Sequence, residues 1–244
     1  MSKKITMKMF EEFLTWLTKG NKIDGFYIEE EDPEIENILF TEELDDNKYI
    51  EIGNGKWKDI YYEVKAGVSK VCFWFSGYDE VVKVPVKGTY WYDPNREENV
   101  KVWELTSNFI EEEIEAYERS SQAVKDFLIP NTKIGEINNI PVYTQKVIEF
   151  TFGEYEDNTD KEIFEQTLEE MEQTDFDREV GEEILNVEFR YDMYKAYPNY
   201  KEILTELEKW AYDLHANNIG YTKDRKPVCF DYAQSEYEDK ILQL

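Results

Sequence analysis

The stretch Asp213-Leu214-His215-Ala216-Asn217-Asn218-Ile219, followed by Cys229-Phe230-Asp231-Tyr232-Ala233, decides how this chain is read. Asp213 and Asn218 stand five residues apart, and Asp231 follows Asn218 by thirteen. An aspartate can accept a proton from a hydroxyl, and an asparagine with a second aspartate offers two hard oxygen ligands, the kind magnesium prefers. Such a triplet fits phosphoryl transfer. The segment between Asn218 and Asp231 predicts a hairpin: Ile219 to Thr222 and Pro227 to Phe230 bracket the turn Lys223-Asp224-Arg225-Lys226. Upstream, Tyr200, Ile203, Leu204, Leu207, Trp210, Ala211 and Leu214 recur at three and four. That period predicts a core helix delivering Asp213 at its C-terminal end.

Outward from this stretch, composition sets bounds. The chain has 244 residues, 41% of them hydrophobic and 16% aromatic, enough for a real core. Its formal net charge of -27 argues against direct contact with nucleic acid phosphates or acidic membranes and favours a partner with a basic surface. Two cysteines, Cys72 and Cys229, and a single histidine, His215, are too few soft ligands for structural zinc. Glu11 and Glu12 interrupt the apolar start, and no stretch reaches membrane-spanning length, so a cytoplasmic setting is expected.

The N-terminal half predicts antiparallel strands. After a first helix and an acidic connector (Glu29, Glu30, Glu31, Asp32, Glu34), Lys48 to Ile52 and Ile60 to Val64 are expected to pair across a Gly53-Asn54-Gly55 turn. Val71 to Phe75 and Glu80 to Val84 follow, and Gly88 to Asn99 has no assigned structure. A helix capped by Ser107 or Asn108 carries the stripe Ile110, Ile114, Tyr117 and Val124. Glu113, three after Ile110 and four before Tyr117, lies on that stripe and points inward, whereas Glu115 falls off it. Lys133 to Ile137 and Ile140 to Phe150 form two more strands around an Asn138-Asn139 turn. Glu154 to Glu188 is an acidic tract with a surface helix.

This order of elements resembles the protein-kinase fold, over roughly Ile52 to Ala233. Asp213 to Asn218 looks like the catalytic loop His-Arg-Asp-x-x-x-x-Asn, with Ala211 and Tyr212 in the His and Arg positions. Asp231-Tyr232-Ala233 looks like Asp-Phe-Gly, and Val81-Val82-Lys83-Val84 like Val-Ala-Ile-Lys. Ile52-Gly53-Asn54-Gly55-Lys56-Trp57-Lys58 is similar to the opening of a glycine-rich loop, with Lys58 in place of the third glycine. The Asp-Leu-His-x-x-Asn-Ile form is most similar to the early protein kinases of T7-like phages.

The resemblance implies an α+β, bilobal chain: a helix and connector over 1–46, an antiparallel N-lobe sheet plus one helix over 47–150, and a reduced, mostly helical C-lobe over 151–244. It implies ATP and Mg2+ as cofactors. Gly53, Asn54, Gly55 and Lys83 would meet phosphates, and backbone near Lys146 and Ile148 would meet adenine. Glu113 would pair with Lys83, Asn218 and Asp231 would hold magnesium, and Asp213 would orient the acceptor hydroxyl. Taken singly, Lys83 is a lysine on an edge strand, Gly-Asn-Gly an ordinary turn and His215 a helix-end cap.

Eleven residues follow Ala233, so an activation segment is not expected, and Tyr212 leaves no arginine to pair with a phosphorylated one. The function implied is a serine/threonine kinase acting on host proteins, in host takeover or anti-defence. The alternative is an acidic pseudokinase or nucleic-acid mimic that inhibits a basic host protein. Small-molecule phosphotransfer remains a third class, because aminoglycoside-type kinases carry a related loop.

Overall fold

The computed structural model describes residues 3–32, 35–40, 49–51, 54–67, 69–93, 98–105, 108–153, 161–211, 214–232 and 241–243. Gly53, Tyr212 and Asp213 therefore lie outside the described residues. The architecture is α+β with largely antiparallel sheets, and it divides into two compact units, Met1–Glu111 with Asn131–Lys146 and Ser235–Leu244, and Glu112–Pro130 with Val147–Gln234.

The first unit runs through α1 (Met7–Leu17), β1 (Tyr27–Asp32), β2 (Ile35–Leu39), β3 (Tyr49–Glu51), β4 (Asn54–Trp57), β5 (Ile60–Ala66), β6 (Lys70–Phe75), β7 (Glu80–Pro85), β8 (Gly88–Asp93) and β9 (Glu98–Leu105). Helix α2 (Phe109–Arg119) begins in it, and β10 (Asn131–Ile137) with β11 (Ile140–Lys146) returns to it. One sheet has the order β10-β11-β7-β6-β5-β4. Its interior face packs on α1, where Phe10 and Phe13 are fully buried against Phe73 and Phe75. Helix α1 forms because Phe10, Phe13, Leu14 and Leu17 fall on one face and the Thr6 side chain accepts from the Met9 amide.

Three sequence expectations change here. First, β3 does not pair with β5: it pairs with β2 in a second sheet, of order β15-β9-β8-β1-β2-β3, whose last member β15 spans Ile241–Gln243. The partner of β5 is β4, and the two-residue turn joining them is Lys58-Asp59, both with φ in the left-handed region (45° and 69°). Such a turn matches strand twist, and it was missed because it holds no glycine or asparagine. Second, the acidic connector contains strand β1, flanked by β2 and, in parallel, by β8; Tyr27 and Glu29 are buried on one of its faces. The unassigned 88–99 stretch supplies β8 and the start of β9. Third, β7 lies inside its sheet between β6 and β11, so Lys83 is not on an edge.

Other expectations hold. Asn138 and Asn139 turn β10 into β11 with φ of 51° and 70°. Asn108 caps α2, its Oδ1 accepting from the Ile110 amide at 3.1 Å. The Tyr143 hydroxyl on β11 donates to the Glu111 carboxylate and accepts from Asn108 Nδ2 at 2.8 Å, which ties the first turn of α2 to the sheet. Val124, expected on the stripe of α2, lies instead in a separate short helix, α3 (Gln122–Lys125).

In the second unit a short strand, β12 (Phe150–Thr151), pairs with β13 (Ile219–Tyr221), which pairs with β14 (Pro227–Cys229). Around this sheet stand α4 (Lys161–Glu172), α5 (Val187–Ala196) and α6 (Tyr200–Leu207), with Phe127, Phe152, Phe189, Met193 and Ile203 fully buried between them. Helix α6 ends at Leu207 and closes into a turn, the Trp210 and Ala211 amides both donating to the Leu207 carbonyl. It is shorter than its period predicts. No helix among the described residues is long and apolar enough to cross a membrane.

Three buried phenols carry a pH dependence. Tyr143, Tyr197 and Tyr232 are each held above the ordinary tyrosine value, by burial first and then by the Glu111, Asp126 and Glu113 carboxylates respectively. A raised folded pKa gives stability that is complete below about pH 10 and lost as pH rises beyond it, because only the unfolded chain can ionise. Urea unfolding between pH 8 and 11 should show stability falling above about pH 10, by up to ~1.4 kcal/mol per pH unit for each tyrosine.

Candidate functional site

Strands β13 and β14 carry the proposed magnesium ligands at their adjoining ends, as the hairpin pattern predicts. Asn218 precedes β13 and is buried. Its carbonyl accepts from the amides of Phe230 and Asp231 at 3.1 and 3.3 Å, and from Cys229 Sγ at 3.5 Å. This closure brings Asn218 and Asp231, thirteen residues apart in sequence, side by side at one end of the sheet. The turn at the other end, 223–226, is closed by Thr222 and Lys226, with Arg225 at φ 57°.

The loop before Asn218 is built by local bonds. The Asn218 amide donates to the His215 carbonyl at 2.9 Å, and the Asn217 amide to His215 Nδ1 at 3.2 Å. His215 is exposed and braces this turn, eight residues past the end of α6, so it caps no helix. Gly153 donates to the Ala216 carbonyl at 3.0 Å, and a Cβ on Gly153 would stand 2.5 Å from Asn217 Oδ1. A side chain at Gly153 would therefore displace the Asn217 amide group. Asp213, the assigned acceptor of the hydroxyl proton, lies outside the described residues.

Tyr232, next to Asp231, is fully buried, and its hydroxyl donates to the Ile129 carbonyl at 3.1 Å. After burial, the largest influence holding that phenol neutral is the Glu113 carboxylate, followed by Cys229, Tyr117 and Asp231. Glu113 itself is 0% exposed, which matches its place on the apolar stripe of α2. The inward glutamate and the Asp231-Tyr232 corner thus belong to one electrostatic neighbourhood.

Lys83 belongs to the first unit. It is 3% exposed, opposite Cys72 on β6 and Tyr143 on β11, and opposed residues of antiparallel strands share a face. The face bearing Lys83 is therefore the one to which Tyr143 ties the start of α2. Asn54 and Gly55 pair with Glu63 and Tyr62 on β5, which places them three strands from β7, about 14 Å along the sheet at ~4.8 Å per strand. The turn joining β5 and β6 adjoins the end of β7, three residues beyond Lys83: Gly67 donates to the Lys70 carbonyl at 2.8 Å, and Ser69 accepts from the Val86 amide at 3.0 Å. Lys58 sits on its own hairpin and pairs with Glu12 of α1 at 2.9 Å. Lys146 ends β11, exposed, and Ile148 reaches toward Gly220 on β13.

Sequence reasoning passed over Gly220. A Cβ there would lie 2.4 Å from the Phe150 carbonyl oxygen and 2.9 Å from Ile148 Cδ1. A lone glycine within a strand is the signal that could have found it, because it marks close backbone approach. Gly220→Ala should push β12 from β13 and destabilise the second unit by about 2 kcal/mol, the usual scale of overpacking. Thermal unfolding measures it, and Val228→Ala, a deletion in the same sheet, serves as the comparison.

Asn218 and Asp231 offer an amide oxygen and a carboxylate, a donor set suited to magnesium completed by phosphate oxygens and water. Among the described residues no group of three or more His, Cys, Asp or Glu side chains stands ready to hold a metal unaided. No known family model matches this chain, and no curated protein sequence matches it.

Proposed function

We propose that this chain is an ATP- and Mg2+-dependent phosphotransferase on a bilobal protein-kinase-like fold, phosphorylating serine or threonine hydroxyls of host proteins. The observation that carries the reading is the β13–β14 hairpin, whose closure sets Asn218 beside Asp231. Two hard donors that would otherwise be far apart become one cation-binding edge. A buried lysine on an interior strand, and a buried glutamate on the helix that follows it in sequence, support the same reading.

Bound MgATP supplies the transferable phosphoryl group and a cation that neutralises its charge. On this reading Asp231 and Asn218 would hold that cation, and Lys83 would meet phosphate oxygens. Asp213 aligns the acceptor hydroxyl. The Gly67–Ser69 turn, which adjoins the end of Lys83's own strand, is a better candidate cradle for phosphate than Gly53-Asn54-Gly55. With a charge of -27, the surface selects basic targets.

That same charge favours a second reading, an acidic binder that occupies the basic surface of a host nucleic-acid-binding or defence protein. Incubation with labelled ATP, magnesium and a cell extract separates the two. Label transfer that Asp231→Ala loses supports the enzyme. If the wild type labels nothing, while both forms inhibit a nucleic-acid enzyme in a salt-sensitive manner, the second reading holds.

A further inference from the structure

The second unit contains a half-open cleft of about 380 Å³, lined among the described residues by Phe150, Asp192, Lys195, Ala196, Tyr221 and Arg225. Its volume falls within the range of small-molecule sites, roughly 300 to 1,000 Å³. It is distinct from the Asn218–Asp231 edge. Arg225 belongs to the turn at the opposite end of the hairpin, and Tyr221 points to the opposite face of β13 from Gly220.

The lining combines Phe150 and the largely buried Tyr221 with two cations. The Phe150 and Tyr221 rings lie 5.1 Å apart at 34°. Tyr221 cannot turn away: its hydroxyl donates to Asp192 Oδ2 at 2.7 Å, and Lys195 pairs with Asp192 Oδ1 at 2.6 Å. Asp192 is thus occupied by two partners. The lining holds two cations, Lys195 and Arg225, and one carboxylate, Asp192, which Lys195 already pairs with.

Arg225 belongs to the turn beside the cleft. It holds φ 57°, a left-handed conformation that glycine or asparagine adopts at lower cost, and its amide is fixed on the Thr222 carbonyl at 2.8 Å. Glycine would hold the same backbone at lower cost, so Arg225→Gly removes the side chain while keeping the turn.

We propose that this cleft binds a small planar aromatic anion, with its ring on Phe150 and Tyr221 and its carboxylate or phosphate on Arg225 and Lys195. Both halves of the ligand are required. The ring supplies contact area that a bare ion lacks, and the negative charge supplies the contact with the guanidinium that a neutral ring lacks.

The test is titration of phenyl phosphate and benzoate, with benzyl alcohol and inorganic phosphate as the two half-ligands, followed by amide shifts in NMR. The expected result is saturable shifts centred on Phe150, Tyr221 and Arg225 at up to millimolar ligand, with both half-ligands at least tenfold weaker. Arg225→Gly, which suits the left-handed backbone and keeps the hairpin, should weaken phenyl phosphate at least tenfold. Lys195→Met should weaken it less. The proposal is overturned if benzyl alcohol or inorganic phosphate binds as tightly as phenyl phosphate, if Arg225→Gly leaves binding unchanged, or if no shifts arise in the cleft.

Discussion

Asp231→Ala is expected to lower kcat/KM for magnesium-dependent phosphoryl transfer by at least about 100-fold, a loss of ~2.7 kcal/mol of transition-state stabilisation. The hairpin's backbone closure should survive, because the Asp231 amide bond to the Asn218 carbonyl and the Cys229 Sγ bond to the Asp231 carbonyl are both retained by alanine. Only the carboxylate disappears, and with it the one charged donor of the pair. Asn218→Ala removes a neutral donor and should reduce the rate less, with part of the loss recovered at high magnesium. Far-UV circular dichroism and the unfolding midpoint keep folding and chemistry apart. An Asp231→Ala protein that is folded and transfers phosphate at the wild-type rate would remove this residue from the mechanism.

Arg190→Met should destabilise the second unit by about 3 kcal/mol. Arg190 lies on α5, 4% exposed. Its Nε donates to the Leu185 carbonyl at 2.9 Å, and its Nη1 to the carbonyls of Arg178 and Val180 at 2.6 and 2.9 Å. Burial pushes its guanidinium below the ordinary value, while the Glu182, Glu208 and Asp177 carboxylates push back. Methionine fills a similar volume but leaves three carbonyls without their donor, each worth roughly 1 kcal/mol. The effect should centre on 178–185, where Gly181 also donates to Glu208 Oε1 at 2.7 Å. Urea unfolding followed by the aromatic signal of Phe176, Tyr191 and Tyr200 would measure it, and a loss below about 1 kcal/mol would show that water replaces the guanidinium.

What the sequence made legible was local. The β13–β14 hairpin, the Asn138-Asn139 turn, the Asn108 cap and the inward Glu113 each depend on spacing within a few residues, and each appears in the structure. Pairing between distant segments was not legible. Strand β1 joins β8 across some sixty residues, and its acidic composition conceals Tyr27 and Ile28, which are buried on opposite faces. Helix α5 escaped notice because Arg190 is buried beside Phe189, Tyr191 and Met193, which blurs the contrast with its polar face of Glu188, Asp192 and Lys195. The glycine-rich resemblance failed in register: Gly53-Asn54-Gly55 drew the hairpin to itself, whereas Lys58-Asp59 makes it. Of the candidate site, Asn218 and Asp231 were legible as a pair because a short hairpin leaves their backbones no other arrangement.

The central claim, that Asn218 and Asp231 hold the cation of a bound nucleotide, is tested most directly with Mn2+ in place of Mg2+. Added with ATP, the paramagnetic ion should erase the amide resonances of Asn218, Phe230 and Asp231 at substoichiometric concentration, and Asp231→Ala should abolish that selectivity. Nucleotide-independent broadening spread over the acidic surface, with Asn218 and Asp231 unaffected, would contradict it.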